Sequence, residues 1–213
     1  MKKVMMIAVL FAGLTGLVPL ASETETDWMP LFNGKDLTGW VQINGTAKYT
    51  VEDGVIVGTT AEGSPNSFLC TQKEYGDFIL EFEVLLDDRL NSGVQIRSQS
   101  LKDYQNYRVH GYQVEIASNG NAGFIYDEAR RGWLSTDADR ADDAKQKAFK
   151  KGEWNQYRVE CRSDSIKTWV NGILIADLRD SMTPKGFIGL QVHSFRGDPP
   201  AWVKWRKIRI QEL

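Results

Sequence analysis

Between Phe78 and Leu86 the chain has a period of two: Phe78, Leu80, Phe82, Val84 and Leu86 are apolar, while Glu81 and Glu83 fall on the opposite parity. A period of two places successive side chains on opposite faces of a strand, so this segment reads as a strand with one face in a core and one in water. The same reasoning predicts strands over 49–57, 67–71, 93–98, 112–117, 156–162, 166–170, 173–177, 186–195 and 205–213, with Asn171-Gly172 joining two of them in a tight hairpin. Many short strands punctuated by turn residues, with almost no helical period, predict an all-β antiparallel β-sandwich. The segment 137–150, rich in Ala, Asp and Lys, is the exception and predicts a short surface helix within a long loop. After residue 22 no internal repeat, low-complexity tract or linker interrupts the pattern.

The amino-terminal pattern differs. Lys2 and Lys3 precede an apolar run from Val4 to Leu20, broken by Gly13, Thr15, Gly16 and Pro19 and closed by Ala21-Ser22. That is the shape of a secretory signal peptide over residues 1–22. An uncleaved membrane anchor is the alternative, and the helix-breaking glycines and proline argue against it. A mature domain over 27–213, secreted or periplasmic and without stable membrane insertion, is expected. Its formal net charge of -2 supplies no basic field to attract nucleic acid. Seven tryptophans and seven tyrosines suit stacking on sugar rings, and they suit a sandwich core equally well. Cys70 and Cys161 could pair in an oxidising compartment, but Cys161 shares the apolar parity of Tyr157 and Val159, which favours buried free thiols.

Candidate chemistry follows from parity. Val94 and Ile96 leave Gln95 and Arg97 on the other face; Tyr112, Val114 and Ile116 leave Gln113 and Glu115; Ile188, Leu190 and Val192 leave Gln191 and His193. If these strands share a sheet, Arg97, Glu115 and His193 converge on one open face among three glutamines, a set able to make directional hydrogen bonds to sugar hydroxyls. The plainer alternative is a wet strand face with Arg97 and Glu115 as a cross-strand ion pair. His110, beside Gly111 in a loop-like stretch, reads as structural. The cluster from Tyr126 to Trp133 is either a self-neutralising loop or a rim that closes over a sugar. In the second reading Tyr126 or Trp133 is the stacking platform, and Asp127 and Arg131 are polar contacts.

As a string, Leu-Phe-Asn-Gly-Lys-Asp-Leu-Thr-Gly-Trp at 31–40 resembles the opening of the bacterial 3-keto-disaccharide hydrolase family. Further blocks follow in that family's order: 91–97 (Asn-Ser-Gly-Val-Gln-Ile-Arg), 111–116 (Gly-Tyr-Gln-Val-Glu-Ile), 125–128 (Ile-Tyr-Asp-Glu), 152–155, 168–172 and 189–193. The resemblance covers nearly all of the mature chain. It departs at Ala117, where many members carry an Asp, and at Trp205-Arg206-Lys207-Ile208. It implies a jelly-roll sandwich of the concanavalin A-like lectin/glucanase type and cleavage of 3-keto-glycosides. A 3-keto group acidifies the C2 proton, so elimination across C1–C2 followed by water addition gives net hydrolysis. The resemblance then implies Glu115 or His193 as base, Arg97 as enolate stabiliser, and Glu128 or the remaining member of the first pair as acid. Gln95, Gln113, Gln191, Tyr126, Asp127, Arg131 and Trp133 would bind substrate. No cofactor is expected and no metal-ligand spacing stands out; the missing acid at Ala117 leaves a divalent metal open. The Glu-x-Asp-x-x-Glu pattern of retaining glucanases is absent, and the rival reading is a non-catalytic carbohydrate-binding module on the same fold.

Overall fold

The computed structural model describes residues 27–198 and 200–213. The segment 1–22, expected to be a signal peptide, lies outside them. Two antiparallel sheets face one another. One is eight-stranded, in the order β13 (Ile173–Arg179), β12 (Ser165–Val170), β11 (Asn155–Arg162), β6 (Phe78–Leu86), β15 (Trp202–Glu212), β4 (Val55–Thr59) and β3 (Lys48–Glu52), with β1 (Met29–Pro30) also on β15. The other is seven-stranded, in the order β10 (Gly132–Trp133), β9 (Ile125–Glu128), β8 (Val109–Ile116), β7 (Ser92–Ser100), β14 (Phe187–Val192), β5 (Ser67–Thr71) and β2 (Trp40–Ile43). The antiparallel sandwich is therefore as the alternation predicts.

The core lies between the sheets. Leu80, Phe82, Val84, Tyr157, Val159, Trp205 and Ile210 meet Val94, Ile96, Tyr112, Val114, Ile116 and Leu190, and Phe82 stacks on Tyr157 at 5.0 Å. Glu81 and Glu83 face outward as expected, where Arg158, Arg209 and Arg206 pair with them at 2.7–2.8 Å. Both cysteines are buried and free. Burial pushes the Cys161 thiol up to about 12 and Cys70 further still, so neither is a thiolate at neutral pH.

Several boundaries differ from the sequence reading, each for a local reason. The segment read as one strand over 49–57 is a hairpin of β3 and β4. Asp53 and Gly54, both at positive φ (49° and 78°), make the two-residue turn that the alternation ran through. The expected helix over 137–150 is two single turns, α1 (Asp137–Arg140) and α2 (Asp143–Gln146), capped by the side chains of Thr136 and Asp142. β2 and β9 escaped notice because each is only four residues long. At the amino terminus, Asn33 accepts from the Lys35 and Asp36 amides at 2.8 and 3.0 Å, and Gly34 takes φ +75°. That turn brings Trp40 back so that its indole N–H donates to the Leu31 carbonyl at 3.0 Å.

The seven-stranded sheet is bent into a trough. Three steps along β7 face two along each neighbour, Ile96 to Gln99 against Tyr112 to His110 of β8 and Gln95 to Ser98 against Gly189 to Phe187 of β14, so one bulge in β7 shifts the register on both of its sides. Arg97 sits in that bulge at φ +45°. Gly111, at φ +136°, lies so close to Ser98 that a Cβ there would be 2.5 Å from its hydroxyl. Across the trough, Asn44 at the end of β2 accepts from the Val109 amide at 2.7 Å and donates to the Tyr107 carbonyl at 3.1 Å. Three strands separate β2 from β8 in the sheet order, so only a strongly coiled sheet lets these ends touch. Phe68, Cys70, Val109 and Phe187 fill part of the concavity as a second apolar cluster.

Candidate functional site

The concave face carries the polar residues that alternation assigned to it. Gln113 lies opposite Gln95, and Gly93 lies opposite both Glu115 and Gln191 in neighbouring ladders. Gly93 is required there: a Cβ would lie 2.5 Å from the Gln113 side chain, which folds over this position. Gln95 and Gln191 donate to Gln113 Oε1 at 2.7 and 2.9 Å, and Gln113 donates in turn to Glu115 Oε2 at 2.9 Å. Asn91 donates to the other oxygen of Glu115. All three glutamines and Glu115 are buried. Their amides are spent largely on one another, and Gln191 Oε1 is left as a buried acceptor without a partner.

Burial dominates the Glu115 carboxyl and raises it from 4.5 to about 7. The Gln113 and Asn91 donors oppose this, and the Glu128 charge adds to it. Glu115 is thus a carboxyl close to half-protonated at neutral pH. Glu128 stands on β9 on the same face and is also raised, chiefly by desolvation, with Arg108, His193 and the Asn66 amide drawing it back.

Beside these groups opens a cavity of about 650 Å³ whose walls include Asn44, Asn66, Phe68, Arg108, Glu128 and His193. His193 follows the end of β14 and is half-buried. Its Nδ1 lies 2.8 Å from the Ser194 carbonyl, an acceptor only, so Nδ1 carries a proton and the lone pair of the neutral ring is at Nε2. A carboxyl held above its ordinary range and an imidazole close enough to act on its charge therefore line one cavity, a combination able to give and take protons on a bound ligand. Glu115 is not part of that lining, and both its oxygens already accept hydrogen bonds.

The expected trio does not assemble. The bulge at residue 97 reverses the parity beyond Ile96, and Arg97 turns away from the trough. It is fully buried, donating to the Gly76 and Ser163 carbonyls at 2.7 Å and to Asp77 at 2.8 Å, and so clamps the two sheets. Asp127 and Arg131 are likewise structural. Asp127 sits opposite Tyr112 on the core parity, fully buried, and pairs with Arg130 at 2.7 Å and with Arg131. Arg131 continues to Asp180 at 2.7 Å, which is the self-neutralising arrangement weighed from the sequence. Tyr126 and Trp133 oppose each other across β9 and β10 with an edge-on contact at 5.2 Å, and Arg140 covers Trp133 at 4.7 Å. Neither ring lines the cavity. His110 is structural as expected, though it lies in β8 rather than a loop, stacked on Tyr104 at 3.8 Å.

Sequence reasoning missed Asn44, Asn66, Asn91 and Arg108. All precede or follow strands, where parity gives no direction; Asn44, at φ +55°, carried the one available signal, a left-handed Asn before Gly45. Among the described residues no group of three or more His, Cys, Asp or Glu side chains could hold a metal ion, and no helix is long and apolar enough to cross a membrane.

Comparison with known proteins agrees with this architecture. The chain resembles a candidate glycosyl hydrolase from Parabacteroides distasonis at 22% identity and a TM-score of 0.63, covering 89% of this chain and 97% of that one. A carbohydrate-binding module from Bacillus subtilis aligns at 18% identity and a TM-score of 0.53, over 82% of this chain and 96% of that one. A β-glucanase from Bacillus licheniformis aligns at 13% and 0.56, over 87% and 97%. These identities show the shared jelly-roll fold. No curated protein matches the sequence. The profile of the 3-keto-alpha-glucoside-1,2-lyase-like domain spans residues 27–211, all but the ends of the sandwich, and the chain belongs to that family.

Proposed function

We propose that this protein cleaves glycosidic bonds in 3-keto-glycosides, by proton abstraction α to the ketone and elimination with net hydrolysis. The observation that supports this reading best is that Glu128 and His193 line one cavity and act on each other electrostatically, with the desolvated Glu115 carboxyl near Glu128. His193 Nε2 takes the proton from C2. The electron pair of that C–H bond forms C2=C3 as an enolate, then returns to expel the C1 glycosidic oxygen. Glu128, whose hold on a proton is strengthened by desolvation, delivers a proton to that oxygen. Water then adds across the resulting enone to complete hydrolysis, with the same two groups exchanging roles. Glu115 acts through its neighbours, as a positioning residue whose own proton balance responds to Glu128.

The cavity volume of about 650 Å³ suits a disaccharide-sized ligand. We further propose that the protein works outside the cytoplasm, on the strength of its amino-terminal pattern. The decisive experiment is chromatographic: the purified domain is incubated with a 3-keto-disaccharide and, separately, with the unoxidised sugar. Only the ketone makes the C2 proton removable, so cleavage restricted to the keto form is expected. Equal cleavage of both overturns the keto-dependent mechanism. Binding without turnover of either makes the protein a carbohydrate-binding module, the alternative that the Bacillus subtilis relative keeps in view.

A further inference from the structure

We propose that Arg108 is the cation that grips the ketone oxygen of the substrate and receives the enolate charge, an inference that rests on the reaction proposed above. Elimination leaves negative charge on the C3 oxygen, and a site for it needs a donor or cation facing the cavity. Arg97, to which the family resemblance gives that role, donates from each of its three guanidinium nitrogens inside the protein and is fully buried. Arg108 is in the opposite condition. It lines the same cavity as Glu128 and His193 and is exposed, and among the described residues the one hydrogen bond of its guanidinium is from Nη1 to Gln105 Oε1 at 2.9 Å. A guanidinium has five N–H donors, so the larger part of its fork is available to a ligand.

The backbone that presents Arg108 is unusual and is held on every side. Gln105, Asn106 and Tyr107 all adopt positive φ, at 45°, 54° and 65°, a run of three left-handed residues without a glycine. Such a run is disfavoured at each position and persists only where the surroundings over-determine it. Here the Tyr107 carbonyl accepts from Asn44 at 3.1 Å and from the Ser100 hydroxyl at 2.7 Å. The Tyr107 amide donates to Leu101 and the Arg108 amide to Tyr104, at 3.1 and 3.2 Å. Tyr104 is itself fixed by its ring contact with His110 and by donating to the Ala129 carbonyl next to Glu128. Tyr104 thus ties the segment that carries Arg108 to the end of the strand that carries Glu128, which sets the backbone of the cation relative to that of the acid.

The test uses Arg108→Ala with calorimetric binding of a 3-keto-sugar and of its parent, and turnover of the 3-keto-disaccharide. A grip on the ketone predicts that the wild type prefers the keto form by about tenfold, one hydrogen bond to a charged donor, and that Arg108→Ala loses this preference while still binding the parent. Turnover should fall by about a hundred- to a thousandfold, in the range for removal of one oxyanion donor, and added guanidinium ion should restore part of it. Equal binding of both sugars by the wild type overturns the inference, as does a variant with unchanged turnover or one that guanidinium does not rescue. A wild type that prefers the keto form through Arg108 but releases no sugar would uphold the grip and overturn the reaction instead.

Discussion

Replacing Glu115 by Gln should stabilise the protein above neutral pH, and the size of the effect follows from its burial. The carboxyl titrates at about 7 in the folded protein against 4.5 ordinarily, because desolvation outweighs the donors from Gln113 and Asn91. A group whose folded pKa is raised contributes its full stability below the unfolded pKa and loses it as the pH rises through the folded one. The shift from 4.5 to about 7 corresponds to about 3 kcal/mol at 1.36 kcal/mol per pH unit, lost between about pH 4.5 and 7.5. The amide that Glu115→Gln introduces cannot ionise, so that loss disappears. It has one acceptor oxygen for the two donors that now meet the carboxylate, which costs about 1 kcal/mol at every pH unless the Asn91 amide turns over. The slope is therefore the test, and the offset is not. Thermal unfolding of both proteins at pH 5 and pH 8 should show the variant gaining about 5–10 °C on the wild type between those values, at about 2–4 °C per kcal/mol for a chain of this size. Melting curves that keep a constant separation from pH 5 to 8 would show that Glu115 does not titrate as its burial implies, and would refute the reasoning.

Arg97→Ala should cost about 3 kcal/mol or more in urea unfolding, since it strands the Gly76 and Ser163 carbonyls and Asp77, yet leave KM for a sugar substrate within about twofold. Glu128→Gln should retain the thermal midpoint within a few degrees and lower turnover by about a hundredfold or more, measured as sugar released from a 3-keto-disaccharide. Asn44→Ala removes the partner of the Val109 amide and one of the two donors to the Tyr107 carbonyl, so a loss of about 1–3 kcal/mol is expected, with the Val109 amide newly open to hydrogen exchange.

What alternation could supply was the face on which a strand residue lies, and it did so wherever the strand was regular. Gln95, Gln113, Glu115 and Gln191 share the face that parity assigned to them because β7, β8 and β14 keep register around Gly93. Two residues further along β7 the bulge inserts an extra position, and the parity argument fails at Arg97, the first residue past Ile96. Nothing in Ile96-Arg97-Ser98 announces a bulge, since Arg carries no intrinsic preference for positive φ. The depth of the trough was equally hidden. A polar strand face was expected to be wet, whereas coiling of the sheet and the Asn44 bridge bury it, so the three glutamines bind one another before any ligand. The charged segment around Asp127 was legible only as two alternatives, and the direct opposition of Asp127 and Tyr112 selects the structural one.

The same burial bears on whether the trough binds sugar or transforms it. A module that only recognises neutral hydroxyls gains nothing at position 115 from a carboxylate that a glutamine could not supply, because amides donate and accept equally well. The glutamines at 95, 113 and 191 already show that this face accommodates the amide. Glu115 is instead held where ionising it opposes folding by about 3 kcal/mol, and Glu128, also desolvated, adds its charge nearby. Two carboxyls kept above their ordinary range, one of them coupled to the His193 imidazole, cost the fold stability, and that cost is what a role in proton transfer would account for. If the site is catalytic, Glu115→Gln should therefore separate the two properties: a protein more resistant to heat at pH 8 and slower on a 3-keto-disaccharide by about tenfold or more. A variant that is both more stable and as active as the wild type would remove the argument for catalysis that rests on Glu115, and would leave the trough a recognition surface whose buried acid has no part in the chemistry.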